Sequence, residues 1–202
     1  SQKVVEEAPS AGITDDVRRA LCDGALALAR HVGYQGAGTV EFLVAESGDI
    51  SFLEVNTRLQ VEHPVTEAVT GLDLVELQLR VAGGEPLPVT QDDVRIAGHA
   101  IEVRVVAEDP AAGWLPSTGT IGRFDLPVSE SGSPLVTPVR VDTGFRAGSV
   151  VSADYDSLLA KAIAHRPTRD EAARVLARTL RRSVVTGVRT NIDALAAVLT
   201  DD

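Results

Sequence analysis

Between Glu54 and Glu62 a functional group recurs at every second position: Glu54, Asn56, Arg58, Gln60 and Glu62. The residues between them, Val55, Thr57, Leu59 and Val61, are mostly apolar. A period of two belongs to an extended strand, whose side chains alternate between opposite faces. The spacing therefore predicts two carboxylates, two amides and a guanidinium along one surface. A solvated outer face would account for the alternation, but such faces carry Lys, Thr or Ser rather than this ordered set of cation- and anion-binding groups.

A second carboxylate joins the set through a predicted hairpin. Strand-like runs at 38–45 and 50–56 flank Glu46-Ser47-Gly48-Asp49, a good hairpin loop. A four-residue loop pairs Ala45 with Ile50, and counting outward from that pair sets Glu41 opposite Glu54. Facing carboxylates repel unless a cation neutralises them. Asn56, on the same face, adds a neutral oxygen. A Glu/Glu/Asn oxygen set favours Mg²⁺ or Mn²⁺ over zinc; a hairpin whose acids merely face water is the alternative. Arg58 and Gln60 offer a planar fork and an amide donor suited to a small carboxylate-like anion. Glu62 beside an anion site makes sense as a general base that deprotonates the anion, or else as a salt-bridge partner of Arg58. Arg104 shares a strand face with Glu102, where an ordinary ion pair is the competing explanation. His31, His63, His99 and His165 read as structural.

The elements that position these groups follow from periodicity. Residues 1–12 form an extended lead-in ending in a Pro/Ser/Gly loop. Thr14 is a predicted N-cap, with Asp15 and Asp16 in the first turn. Val17, Leu21, Ala25, Leu28 and Val32 recur at helical spacing until Gly33. Thr66–Ala82 reads as a short and a longer helix broken at Gly71-Leu72-Asp73. Residues 84–98 connect to a strand at His99–Val106. A β-rich run covers about 118–152, and three helices are predicted at Ser157–His165, Thr168–Ser183 and Asn191–Leu199. Strands and helices in separate blocks give an α+β fold in two units.

Composition sets outer bounds. The chain has 202 residues, 44% of them hydrophobic and 24% charged, as in globular proteins. A net charge of −10 argues against nucleic-acid binding, and no apolar run is long enough to span a membrane. Cys22, the single cysteine, leaves no disulfide framework; its helical position predicts a buried thiol. No signal peptide is visible, and the absence of any methionine implies a chain that begins inside a longer polypeptide. Arginine far outnumbers lysine, which points to a high-GC genome and a bacterial cytoplasm.

At FLEVNTRLQVEHPVTE, residues 52–67, the chain resembles the biotin carboxylase family of ATP-grasp ligases. The likeness starts at QKVVEEAPS and continues through TGLDLVELQLRVAGGEPL, GHAIEVRVVAEDP, LPSTGTIGRF, YDSLLAKAI and TGVRTN, in order along nearly the whole chain. Glu-x-Asn alone is shared with carbamoyl-phosphate synthetases, which lack QVEHPVTE. The resemblance implies the second half of an ATP-grasp lobe, residues 1–90, followed by a mixed β-sheet/helix C-terminal domain, residues 91–202. It implies that Glu41 and Glu54 hold the metal at the ATP phosphates with Asn56, and that Leu43 and Leu53 pack on the nucleotide. Lys3, Arg58, Gln60 and the backbone of Val61 would bind bicarbonate, Glu62 would deprotonate it, and Arg104 would stabilise the biotin enolate. Tyr155-Asp156 resembles a family loop near that arginine, and Arg140 falls near the family's dimer interface.

The implied reaction is the ATP-dependent carboxylation of carrier-bound biotin by bicarbonate, through carboxyphosphate, as the first half-reaction of an acyl-CoA carboxylase. ATP, Mg²⁺ or Mn²⁺ and biotin are the implied cofactors. A biotin carboxyl carrier protein or domain, a carboxyltransferase subunit and a second copy of the chain are the implied partners. The family's N-terminal domain, glycine-rich lid and ATP-gripping lysines precede the matched region, and nothing in 1–202 resembles them. The expectation is that the segment alone does not turn over ATP. A non-catalytic dimerisation or assembly segment and another ATP-grasp carboxylate ligase stay open as alternatives.

Overall fold

A computed structural model describes residues 3–127 and 139–201. In chain order it begins with β1 (Val5–Ala8), α1 (Asp15–His31), β2 (Thr39–Val44), β3 (Ile50–Asn56), α2 (His63–Thr70), α3 (Leu74–Ala82) and β4 (His99–Val106). Four short strands follow: β5 (Glu108–Asp109), β6 (Leu115–Pro116), β7 (Gly119–Thr120) and β8 (Arg123–Asp125). The remainder is β9 (Arg140–Thr143), β10 (Val150–Val151), β11 (Leu158–Arg166), α4 (Arg169–Arg182), β12 (Val184–Thr186) and α5 (Ile192–Val198). Part of the predicted β-rich run, 128–138, lies outside the described residues.

The chain divides into two compact units, Pro9–Ile96 and Ser1–Ala8 with Ala97–Asp202. In the first, α1 is capped as predicted: the Thr14 side chain accepts from the Val17 N–H. The helix lays Val17, Leu21, Ala25 and Leu28, all partly buried, on its inner face. No residue of α1 is fully buried, and Cys22 is exposed, which corrects the expectation of a buried thiol. Cys22 sits one step round the helix from Leu21, outside the face formed by Leu21, Ala25 and Leu28. Helix α2 begins three residues before the predicted start and ends at Gly71, whose φ of 73° is the left-handed cap. Asp73 caps α3, and the buried Glu67 carboxylate accepts from the Leu74 N–H, pinning the elbow between the two helices.

The second unit is built on an antiparallel sheet of order β1-β4-β11-β9. One face carries Ile101, Val103, Val105, Ala160, Ala162 and Ala164 against Ala172, Leu176 and Leu180 of α4 and Ile192 and Leu195 of α5. The i, i+4 spacing of the α4 residues keeps them on one stripe, and fully burying each leucine is worth roughly 2 kcal/mol. The predicted helix at Ser157–His165 is instead strand β11. Its Leu, Ala and Lys content is locally helix-favouring. Pairing with β4 on one side and β9 on the other overrides that preference.

The opposite face of the sheet is charged. Glu6 pairs in register with Glu102, and Lys161 pairs with both Arg104 and Asp142, so by strand parity these five residues share it. Burial would raise the Asp142 carboxyl. Arg140, by hydrogen bond and charge, and Lys161 outweigh it and hold Asp142 below its ordinary value.

Candidate active site

Strand β2 pairs with β3 so that Glu41 lies opposite Glu54, as the hairpin predicts, but by a different route. Near the turn Val44, not Ala45, faces Ile50, because the loop closes one residue earlier with the Ala45 N–H donating to the Asp49 carbonyl. The register then shifts between Glu41 and Phe42, leaving Leu53 as an extra residue on β3. This bulge restores the Glu41–Glu54 pairing and reverses face parity along β3. Phe52 and Phe42 consequently meet edge to face, their ring centroids 6.3 Å apart. Leu43, two residues from Glu41 and on the same face of β2, is 60% exposed; Leu53 is 51% exposed.

The carboxylates are joined by one amide. Asn56 Nδ2 donates to Glu41 Oε1 at 3.1 Å and to Glu54 Oε1 at 3.0 Å. Arg58 Nη2 donates to Asn56 Oδ1 at 3.3 Å, and Gln60 Nε2 approaches Glu41 Oε1 at 3.5 Å. Five of the predicted residues thus form one hydrogen-bonded cluster. The extended strand expected to align them ends at Asn56, however. Arg58 and Gln60 stand on irregular backbone, and Val61 and Glu62 form a turn into α2. Glu62 is the N-cap residue of α2, its carbonyl accepting from the Val65 N–H. His63 Nδ1 lies 2.7 Å from the Gln60 carbonyl and locks this turn. Arg58 also donates to the Leu59 carbonyl at 3.2 Å.

No cluster of three or more His, Cys, Asp or Glu able to hold a metal occurs among the described residues. The donors at Glu41, Glu54 and Asn56 fit Mg²⁺ nevertheless, because that ion takes one or two carboxylates and completes its shell with phosphate and water. An amide NH₂ between two carboxylates occupies the place of a cation and offers only partial positive charge. Cavities of about 790 and 500 Å³ in this unit are lined instead by other residues, among them Leu77 and Val81 of α3, Leu28 of α1, and Val40 and Val55.

Lys3 and Arg104 belong to the second unit. Lys3 is exposed just before β1, and the Val4 carbonyl accepts from the Arg104 N–H at 3.0 Å. An ion pair joins Arg104 Nη2 to Glu6 Oε1 at 2.6 Å. The sequence pattern points to Glu102 as partner and misses Glu6, whose place beside β4 follows only from the pairing of β1. Arg140 grips Asp142 through two hydrogen bonds of 2.9 Å. Tyr155 is 86% exposed, and Asp156 accepts from the Leu158 N–H at the start of β11.

Comparisons with known proteins agree along the chain. Residues 1–90 match the family described as carbamoyl-phosphate synthase L chain, ATP binding domain. Residues 102–202 match the biotin carboxylase C-terminal domain. The chain is 46% identical over 212 residues to a propionyl-CoA carboxylase alpha chain of Ruegeria pomeroyi, covering 98% of this chain and 31% of that protein. It is 47% identical over 193 residues to a chloroplastic biotin carboxylase of Arabidopsis thaliana, covering 96% of this chain and 35% of the relative. The chain thus spans about a third of these relatives. Among solved structures, the biotin carboxylase domain dimer of Hydrogenobacter thermophilus 2-oxoglutarate carboxylase, in complex with MgADP, ADP and bicarbonate, superposes with a TM-score of 0.92 at 40% identity, covering 100% of this chain and 43% of that one. The chain belongs to the biotin carboxylase family, of which it carries the second half of an ATP-grasp lobe followed by the C-terminal domain.

Proposed function

We propose that, within its whole protein, this chain takes part in the ATP-dependent carboxylation of carrier-bound biotin by bicarbonate. The observation that carries the reading is the Glu41–Glu54 carboxylate pair bridged by Asn56, with Arg58 and Gln60 in the same cluster. Facing carboxylates call for a cation, and a half-turn of the Asn56 amide exchanges its NH₂ for an oxygen ligand. Bound there, Mg²⁺ or Mn²⁺ would draw charge from the transferring phosphoryl group. Leu43 and Leu53, exposed beside the pair, offer apolar surface to the nucleotide.

In this reading Arg58, Gln60, Lys3 and the backbone of Val61 bind bicarbonate, and Glu62 takes its proton. A bicarbonate oxygen attacks the γ-phosphorus of ATP, and ADP leaves. The resulting carboxyphosphate separates into CO₂ and phosphate, phosphate removes the N1′ proton of biotin, and the enolate attacks CO₂. Arg104 stabilises the enolate charge. The domain division at residue 90, a homodimer, a biotin carrier, a carboxyltransferase partner and a cytoplasmic setting belong to the same proposal. Among the described residues no helix is long and apolar enough to cross a bilayer.

The test uses the full-length parent protein. ATP cleavage is expected to require bicarbonate and to be coupled to biotin carboxylation, and Glu62→Gln is expected to abolish it. Full activity in a folded Glu62→Gln protein removes Glu62 as the base. Cleavage that responds to an amine or amino acid and ignores biotin would identify a different ATP-grasp ligase.

A further inference from the structure

We infer that Asn191 is a positioning residue that fixes Arg104 for catalysis; the inference rests on the reading of Arg104 proposed above. The support is a hand-over along one edge of β4. Beyond the pair Val5–Val103, the N-terminal segment makes one more bond to β4, from the Arg104 N–H to the Val4 carbonyl at 3.0 Å. From that point Asn191 takes the place of a neighbouring strand. Its Nδ2 donates to the Arg104 carbonyl at 2.9 Å, and its Oδ1 accepts from the Val106 N–H at 2.9 Å. Its own N–H donates to the Val106 carbonyl at 3.3 Å. One residue thus supplies the donors and the acceptor that an adjoining strand would bring.

The usual work of an asparagine at this place is something else. Asn191 is the N-cap residue of α5, where an Asn side chain ordinarily accepts a hydrogen bond from the first turn of its helix. It makes no such bond here, and the residue is 0% exposed. Its amide is committed to β4 on either side of Val105.

Arg104 is the residue at which the two supports meet. Its N–H is tied to Val4, its C=O to Asn191, and its guanidinium to Glu6. Fixing both peptide groups fixes the direction of the Cα–Cβ bond and hence the region the guanidinium can reach. Catalytic groups tolerate little displacement, since a misplacement of about 1 Å can cost two orders of magnitude in rate. An asparagine serving only to dock α5 on the sheet would change stability without changing how ATP cleavage is coupled to carboxylation.

The experiment measures both reactions in the full-length protein carrying Asn191→Ala, Asn191→Asp, Arg104→Ala, or Asn191→Asp with Arg104→Ala. Asn191→Asp keeps the acceptor for Val106 and deletes the donor to Arg104, so it serves if the alanine variant does not fold. The expected result for either Asn191 variant is a drop in biotin carboxylation of roughly tenfold with a much smaller drop in bicarbonate-dependent ATP cleavage. The double variant is expected to carboxylate no more slowly than Arg104→Ala, because residues acting as one unit are non-additive. Parallel loss of both reactions in step with a lower Tm, or multiplicative losses in the double variant, overturns the inference. Uncoupling by Arg104→Ala beside normal coupling in the Asn191 variants overturns it alone. Normal coupling in Arg104→Ala overturns the reading of Arg104, and the inference with it.

Discussion

Glu6 and Arg104 face each other across adjacent strands, with 2.6 Å between Oε1 and Nη2 and side-chain exposures of only 9% and 17%. Glu6 is in register with Glu102, so its partner on β4 is the diagonal neighbour two residues further on. The pair is held more by the sheet than by its own attraction, since removing two charges from water offsets much of their Coulomb energy. Deleting one charge is a different matter, because it strips a shielded cation of a close counter-charge. Glu6→Gln is expected to destabilise the chain by about 2–4 kcal/mol, read as a lower urea midpoint. An unchanged midpoint would mean that Glu6 contributes no net electrostatic support.

At the Glu41–Glu54 pair the sign reverses. Like charges directly opposite on a strand pair are destabilising, and one amide only partly relieves them. Glu54→Gln without divalent ion is expected to leave stability unchanged or raise it by up to ~1 kcal/mol. In the full-length protein the same substitution is expected to raise the Mg²⁺ concentration needed for ATP cleavage. A variant that loses stability in metal-free buffer, or keeps the normal metal requirement, contradicts the reading of this pair as a cation site.

The register of that pair is legible in the sequence only because two departures cancel. Ile50 meets Val44, one position further from the turn on β2 than a four-residue loop predicts, and the bulge at Leu53 absorbs the difference. Without the bulge, the shifted turn would set Glu41 opposite Leu53, and Glu54 would miss its partner. Alternation beyond Asn56 reads as strand because Arg58, Gln60 and Glu62 keep the period of two. The chain there instead turns into α2, while hydrogen bonds to Asn56 and Glu41 gather the Arg58 and Gln60 side chains. Strand β11 escapes a local reading because helix propensity acts over a few residues, whereas the strands that make LLAKAIAHR central are remote in sequence. The cap at Thr14, the break at Gly71 and strand β4 rest on short-range chemistry, and all three are legible.

Gly187, inside TGVRTN, has φ of 95° and follows β12. A Cβ there would meet the Thr120 carbonyl and the Gly122 nitrogen, both backbone atoms that cannot swing aside. The close approach belongs to the crossing where the Gly122 N–H donates to the Thr186 carbonyl at 2.9 Å. Gly187→Ala combines a left-handed backbone with this collision. It is expected to cost more than about 2 kcal/mol, seen as a fall in Tm of several degrees. A neutral result would show that the β8–β12 ribbon shifts freely.

The last prediction concerns acid. Glu7 Oε2 accepts from Arg169 Nε at 2.7 Å and lies 2.8 Å from His99 Nε2, tying β1 to the start of α4 and to β4. Burial alone would raise the Glu7 carboxyl, but the hydrogen bonds and charges of Arg169 and His99 outweigh it and carry the carboxyl below its ordinary value. A carboxylate whose folded pKa lies below its unfolded one binds protons more readily when unfolded. Its stabilisation is therefore complete above the unfolded value, about 4.3, and is lost as pH falls through the lower folded value. Asp142 is lowered in the same way by Arg140 and Lys161 and adds to the slope. Tm measured from pH 6 to pH 3 is expected to fall more steeply in the unmodified chain than in Glu7→Gln, with the two curves converging at the acid end. Parallel curves across that range would show that Glu7 does not link β1 to the sheet through its charge.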